Sequence, residues 1–189
     1  MGDPHSPGMC IGTCAWMEHE WLESLDASVK THIHAKRYMD DVIMFYAEND
    51  TWDTKRFLED ARNECYFPPL KLEPAAQGTF LETSFEISES NDIDFWLKNE
   101  NYPGKDPKIW RYAHYLSHGT AKQKYATMKA CLSKVNKMAS NDKRLRESAY
   151  QKIVEFIRLR YPVNMVKDAC KAIAVKTRNT TWFRVSEKI

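Results

Sequence analysis

Tyr38-Met39-Asp40-Asp41 lies between two short β-prone runs, Ala35-Lys36-Arg37 and Val42-Ile43-Met44-Phe45-Tyr46. The stretch predicts a tight β-hairpin that carries two adjacent carboxylates at its tip. Like charges so close repel and raise one another's pKa. Asp is also a common turn residue, because it tolerates turn geometry and bonds its own backbone. The apolar run that follows shifts the balance. Val42 to Tyr46 is expected to be a strand buried on both faces, and a turn that leads two acids into a buried sheet needs a counter-charge. Oxygen ligands on a tight turn suit Mg²⁺, which takes one or two carboxylates and keeps its other positions for water and substrate phosphates. Carboxylate-held metal pairs serve in-line phosphoryl transfer.

Working outward from the hairpin, Pro7 is well placed as a first helical residue. Cys10, Cys14, Met17, Trp21 and Leu25 then recur on one helical face, with Glu18, Glu20 and Glu23 mostly off it. Asp26 to Lys30 reads as a linker into the hairpin. After the hairpin, Asp53 can cap a second helix with the stripe Phe57, Leu58, Ala61 and Cys65. Pro68-Pro69 forbids its continuation. Leu70-Lys71-Leu72-Glu73 is expected as a short strand and Pro74 to Gly78 as a turn. Thr79 to Ile87 alternates as one longer strand, and Ile93 to Lys98 returns as its partner after a turn at Ser88 to Asp92. Helix–strand–strand–helix–strand, placed after one further strand, completes the βαββαβ of a ferredoxin-like sheet.

Asn99 to Lys108, with Pro103-Gly104 and Pro107, reads as a linker. Beyond it the pattern is helical. Tyr125, Met128, Leu132, Val135 and Met138 form one stripe; Asp142 can cap the next helix, with Leu145, Ala149, Ile153, Phe156 and Ile157; Val163, Val166, Cys170 and Ile173 mark a third. The expected class is therefore α+β: a partial ferredoxin-like sheet with β-hairpins over residues 1–98, followed by a basic helical bundle over 99–189.

The net charge of +2 conceals an asymmetry. Residues 1 to 97 hold 7 Lys+Arg against 19 Asp+Glu, a net −12, and residues 98 to 189 hold 21 against 7, a net +14. Such a split favours nucleic-acid contact by the basic half; mutual attraction of the two halves is the competing explanation. A hydrophobic content of 43% supports a core. The N-terminal residues have neither a basic nor an apolar leader segment, and the five cysteines are scattered without a disulfide spacing. An intracellular protein, nuclear or cytoplasmic and not secreted, is expected, and the sequons at Asn49 and Asn179 are set aside on that ground.

Together these residues resemble the C-terminal half of a reverse transcriptase of the retrotransposon type. Tyr38-Met39-Asp40-Asp41 matches the family's catalytic hairpin. Ser6-Pro7-Gly8, which opens a helix, resembles the segment along the template and incoming nucleotide. Leu70-Lys71-Leu72-Glu73 is similar to the segment where a lysine approaches the triphosphate. Phe80-Leu81-Glu82-Thr83-Ser84-Phe85 looks like the hairpin that grips the primer end, and the basic tail looks like the thumb.

The resemblance implies RNA-directed DNA polymerase activity with Mg²⁺ (or Mn²⁺) in a two-ion site. Asp40 and Asp41 would be the metal ligands, with Lys71 beside the triphosphate. Tyr38, Met39, Phe80, Leu81 and Glu82 would lie at the primer, and Ser6, Pro7 and Gly8 at template and nucleotide. Lys122, Lys129 and Lys137 would contact duplex phosphates. The implied partners are an RNA template with a DNA primer and a dNTP.

The family carries a further catalytic aspartate on a strand before the Ser-Pro-Gly helix, and basic fingers before that. Asp3 is too close to Ser6 to be that residue, since no strand fits between them. The sequence is therefore expected to be a fragment, truncated gene or degenerate copy, inactive alone, with the missing palm and fingers segment as a potential partner. A non-catalytic nucleic-acid-binding remnant is the alternative function.

Other clusters carry less. Cys10, Cys14 and His19 match no zinc spacing, and the cysteines sit on an apolar stripe where thiols behave as small hydrophobes. His114 and His118 lack a third ligand. Trp110, Tyr112 and Tyr115 interleave with Lys108 and Arg111, which fits either a stacking platform for nucleic acid or a packing seam.

Overall fold

The computed structural model describes residues 5–47, 53–73, 78–98 and 111–189. The expected linker, the sequon at Asn49, Trp110, Lys108 and most of the Pro74–Gly78 turn lie outside them. The chain mixes helix with small antiparallel sheets, an α+β composition. It divides into two compact units, Met1–Phe80 and Leu81–Ile189.

In the first unit, α1 (Ser6–Ser24) starts with Pro7 in its first turn. The Asp26–Lys30 segment expected as a linker instead forms a one-turn helix, α2 (Ala27–Lys30). The hairpin follows as β1 (Ile33–Tyr38) and β2 (Asp41–Tyr46), paired antiparallel from Ile33 opposite Tyr46 to Tyr38 opposite Asp41. Asp53 caps α3 (Thr54–Glu64), its carboxylate accepting from the amides of Lys55 at 2.9 Å and Arg56 at 3.2 Å, which satisfies orphan donors of the first turn.

The core of this unit gathers Trp21 from α1, Phe57 and Ala61 from α3, and Cys65 and Tyr66 just after it, with Met17, Leu25, Ile33 and Met44 packed around them. Trp21 and Phe57 rings lie 5.7 Å apart. Leu58, expected on the stripe, faces outward.

Two expectations here need correction. Val42 to Tyr46 is half-buried along its length, not buried on both faces, because the sheet it joins has two strands, β1 and β2. Leu70 to Glu73 is not a strand but irregular chain that delivers Leu72 to the core. The short alternation was misleading: Leu70 and Leu72 are two residues apart, yet only Leu72 is drawn into the core while Leu70 stays exposed.

The Thr79–Ile87 run is likewise interrupted. It forms β3 (Thr79–Phe80) and β4 (Thr83–Ile87), parted at Leu81, which takes the left-handed φ of +54°. β4 pairs with β5 (Ile93–Leu97) as expected, from Thr83 opposite Leu97 to Ile87 opposite Ile93, and Asn91 at φ +63° serves the turn. Asn is among the residues that tolerate that region best.

The second unit is this hairpin with helices α4 (Ala121–Lys137), α5 (Asp142–Arg158), α6 (Val163–Thr177) and α7 (Thr181–Glu187). Thr120 and Gln123 form a reciprocal capping box at α4. Asn141, not Asp142, caps α5 through its bond to the Arg144 amide, and Asp142 lies in the first turn. The predicted stripes meet in the core: Met128, Leu132 and Val135 of α4, Ala149 and Phe156 of α5, Val166, Cys170 and Ile173 of α6. α7 lies beyond the three helices that the apolar stripes predict. Its Trp182 is wholly buried and donates its indole N–H to Asn136 at 2.8 Å, as a buried Trp should.

The boundary between units falls before the β4–β5 hairpin and not after it, at 80/81 where the sequence suggested 98/99. Leu97 enters the helical core. Ser140 and Phe95 exchange bonds, amide to carbonyl at 2.9 Å and amide to hydroxyl at 3.1 Å.

Candidate functional site

The hairpin closes with two residues, Met39 and Asp40, between the paired Tyr38 and Asp41. Met39 takes φ +56°. A non-glycine residue held there costs about 1–3 kcal/mol and persists where surrounding structure over-determines it. The surrounding structure is Arg37. Its guanidinium donates from Nη1 to the Met39 carbonyl at 2.6 Å and from Nε to Glu18 Oε1 at 2.8 Å. Nη2 donates to Glu18 and to the Tyr66 hydroxyl, and that hydroxyl donates to Glu18 in turn. The Arg37 and Glu18 side chains are 15% and 23% exposed, so their ion pair is partly shielded from water, while the bond to the Met39 carbonyl lies at the exposed tip. Burial and the Glu18 charge push the neighbouring Cys65 thiol up to about 11.

A cavity of about 420 Å³ opens beside the tip. Helix α1 contributes Pro7, Cys10, Ile11 and Cys14; the hairpin contributes Arg37, Met39 and Asp40; the chain after α3 contributes Tyr66, Leu70, Lys71 and Leu72. Pro7, Met39, Asp40 and Lys71, singled out from three separate stretches of sequence, thus line one space. The irregular backbone at 70–73 is what delivers Lys71 there; its ammonium also lies 3.7 Å from Glu73.

Asp41 is the first residue of β2 and exposed; Tyr38 is 59% exposed. Neither lines the cavity. Ser6 and Gly8 sit in the exposed first turn of α1, and a Cβ added at Gly8 would meet nothing within 4 Å. Among the described residues no packing demands glycine at that position.

Phe80 ends the first unit, whereas Leu81 and Glu82 begin the second, where Glu82 pairs with Lys134. On α4, Lys122 and Lys137 are exposed and Lys129 is half-buried. Tyr112 and Tyr115 pack on the helical core instead of forming a platform. Tyr112 lies 4.9 Å from the Phe156 ring with its hydroxyl 3.0 Å from Cys131 Sγ, and Tyr115 lies 5.4 Å from Tyr161. His114 and His118 are exposed, and the ring of His114 accepts the Leu116 amide.

Among the described residues no three His, Cys, Asp or Glu side chains gather around one point. Cys10, Cys14 and His19 are included in that statement. Of the two adjacent tip carboxylates, Asp40 lines the cavity and Asp41 does not; Mg²⁺ accepts one or two carboxylates and completes its shell with water. A two-ion site would draw on a further carboxylate.

Arg37, Glu18 and Tyr66 were missed from the sequence. A signal existed: Ile33, Ala35 and Arg37 share the inward face of β1, and a cation at an inward strand position needs an anion. No protein-family model, curated protein or solved structure matches the chain. Among the described residues no helix is long and apolar enough to cross a membrane.

Proposed function

We propose that the chain is the palm hairpin and thumb of an RNA-directed DNA polymerase, with Met1–Phe80 as a partial ferredoxin-like palm and the basic helical unit as the thumb. The observation that carries the reading is the convergence of Pro7, Met39, Asp40 and Lys71 on one cavity. A bound Mg²⁺ or Mn²⁺, held by Asp40 and Asp41, would supply Lewis-acid activation of a primer hydroxyl and charge stabilisation at the leaving pyrophosphate. Lys71 would stand at the triphosphate as a cation or proton donor. The open surface at Gly8 would admit a nucleotide or template backbone close to α1. Leu81 and Glu82 would contact the primer.

Two carboxylates are fewer than a two-ion mechanism uses. The 189-residue chain is therefore expected to bind Mn²⁺ at the tip yet fail to extend a DNA primer on an RNA template. Losing Asp40 should weaken Mn²⁺ binding by roughly tenfold or more, since even indirect partners of a metal ligand carry that much. Mn²⁺ titration followed by electron paramagnetic resonance, on the wild type, Asp40→Asn and Asp41→Asn, tests this. Equal affinity in all three proteins removes the metal site. Product formation abolished by Asp40→Asn would show that the chain completes its own carboxylate set.

A second reading, duplex binding without catalysis, rests on a different observation. The unit Leu81–Ile189 carries 21 Lys+Arg against 12 Asp+Glu, a net +9. Salt-dependent binding to a template–primer duplex by a protein that binds no Mn²⁺ would favour it.

A further inference from the structure

We propose that Arg37 is a positioning residue that sets the hairpin tip, and with it Asp40, against helix α1. The inference rests on the hairpin being the metal-binding element proposed above, and it adds a residue which that reading does not contain. Three observations carry it. First, the loop is unfavourable by itself, since Met39 is at φ +56° and its neighbours Asp40 and Asp41 repel one another. Second, Arg37 reaches the loop backbone from outside it, Nη1 donating to the Met39 carbonyl at 2.6 Å. Third, the same guanidinium is fastened to Glu18 of α1 and to Tyr66.

A guanidinium is planar, with five donors in fixed directions, so partners on its different nitrogens are fixed relative to one another. The carbonyl of Met39 is thereby tied to α1 through one rigid plane, and Asp40 follows Met39 in the chain. Both Arg37 and Asp40 line the cavity. Low exposure of the Arg37–Glu18 pair strengthens the α1 end of the tie, because charge-assisted bonds gain where water is excluded; the bond to the Met39 carbonyl lies at the exposed tip. A two-stranded ribbon is only marginally stable alone. The core residues Ile33 and Met44 anchor the open end of this one, and Arg37 anchors the tip.

Lysine at this position keeps the charge but offers a single nitrogen, which cannot hold the Met39 carbonyl, Glu18 and Tyr66 in one plane. Arg37→Lys should therefore loosen the tip without dissolving the core. Tyr66→Phe removes one partner of Arg37 and leaves the bond to Met39 intact, so it should perturb the core more than the tip.

The test compares the wild-type 189-residue chain, Arg37→Lys, Glu18→Gln and Tyr66→Phe by backbone ¹⁵N relaxation and amide exchange, by melting temperature, and by Mn²⁺ affinity. In the wild type, Met39 and Asp40 should be as ordered as the strands. Arg37→Lys should raise fast motion at Met39 and Asp40 while amides of α1 and α3 stay as protected as before, and Mn²⁺ affinity should fall roughly tenfold. Glu18→Gln should lie between wild type and Arg37→Lys, and Tyr66→Phe should leave the tip unchanged.

Unchanged tip order in Arg37→Lys overturns the proposal. So does loosening spread equally over α1 and α3, or reproduced by Tyr66→Phe, since either marks general softening of the core. Should the wild type bind no Mn²⁺ while Arg37→Lys still loosens the tip selectively, the clamp stands and the metal reading of the hairpin falls.

Discussion

Met39 stands where a side chain is least welcome, at φ +56° in a two-residue loop. An unbranched methionine tolerates that backbone better than a β-branched residue, whose two γ-substituents crowd the carbonyl. Met39→Val should destabilise the tip by about 1–2 kcal/mol, visible as faster amide exchange from Tyr38 to Asp41 in a protein that keeps its helical content. Slower exchange in the variant would contradict the backbone description.

Buried thiols make a second residue-scale prediction. Burial pushes Cys65 up to about 11 and Cys170 up to about 12, from an ordinary value near 9, and it raises Cys131 and the Tyr112 hydroxyl as well. The folded protein keeps these thiols protonated where the unfolded chain has begun to release them. Above pH 9 the unfolded state therefore binds fewer protons, and stability falls as pH rises, by up to about 1.4 kcal/mol per pH unit for each thiol. Urea denaturation at pH 8, 9, 10 and 10.5 should give a declining profile, with a shallower decline in Cys170→Ala. A flat profile would show that the thiols are not sealed from water.

At the scale of elements, the β4–β5 hairpin belongs to the helices because of Arg144. Its guanidinium bonds Glu86 of β4 at 2.5 Å, lies 3.5 Å from Asp94 of β5 and stacks 4.0 Å over Trp96. The Arg144 side chain is 16% exposed while Glu86 and Asp94 are 65% and 44% exposed, so solvent screens both pairs in part. Loss of a charged hydrogen bond and a cation–π contact together suggests about 2–3 kcal/mol for Arg144→Ala. A lower urea midpoint with red-shifted tryptophan emission is expected; an unchanged midpoint would mean that Leu97 and Ser140 hold the hairpin unaided. The acids of this hairpin are thus partly consumed by bases of the same unit, Glu86 and Asp94 by Arg144 and Glu82 by Lys134.

At the scale of the whole molecule, the two units differ in sign. Met1–Phe80 holds 7 Lys+Arg against 14 Asp+Glu, and Leu81–Ile189 holds 21 against 12. The unit that begins at Leu81 should fold alone, because its core is closed by Leu97 and α4–α7. A piece that begins at residue 99 loses Leu97 and the Ser140–Phe95 bonds and should melt at a lower temperature. Comparison of 81–189 with 99–189 by thermal unfolding tests this, and equal melting temperatures would restore the boundary at 98/99. If the basic unit lies on duplex, its affinity should fall steeply with salt and depend little on sequence. Binding that is flat between 50 and 200 mM salt, on the order of the range over which phosphate contacts lose affinity, would assign the charge to another role.

The sequence by itself determined the parts that follow from local chemistry. Helix stripes at 128–135, 145–156 and 166–173, the Asp53 cap, the hairpin about Met39-Asp40 and the Thr83–Leu97 hairpin are all set by period, by capping side chains and by residues that accept a turn. It also singled out Pro7, Met39, Asp40 and Lys71, each in a recognisable stretch, and these four line one cavity.

What only the tertiary structure decided depends on contacts between residues far apart in the chain. Leu70 to Glu73 alternates like a strand but finds no sheet to join. Thr79 to Ile87 alternates without a break, yet the backbone turns at Leu81 where one unit ends. The β4–β5 hairpin joined the helices because Arg144, some fifty residues on, lies across it. The clamp of Arg37 on Met39, Glu18 and Tyr66 needed three segments to meet. Spacing along the chain carries no record of such meetings, because a side chain's partner is set by where the core brings the backbone and not by its neighbours in sequence.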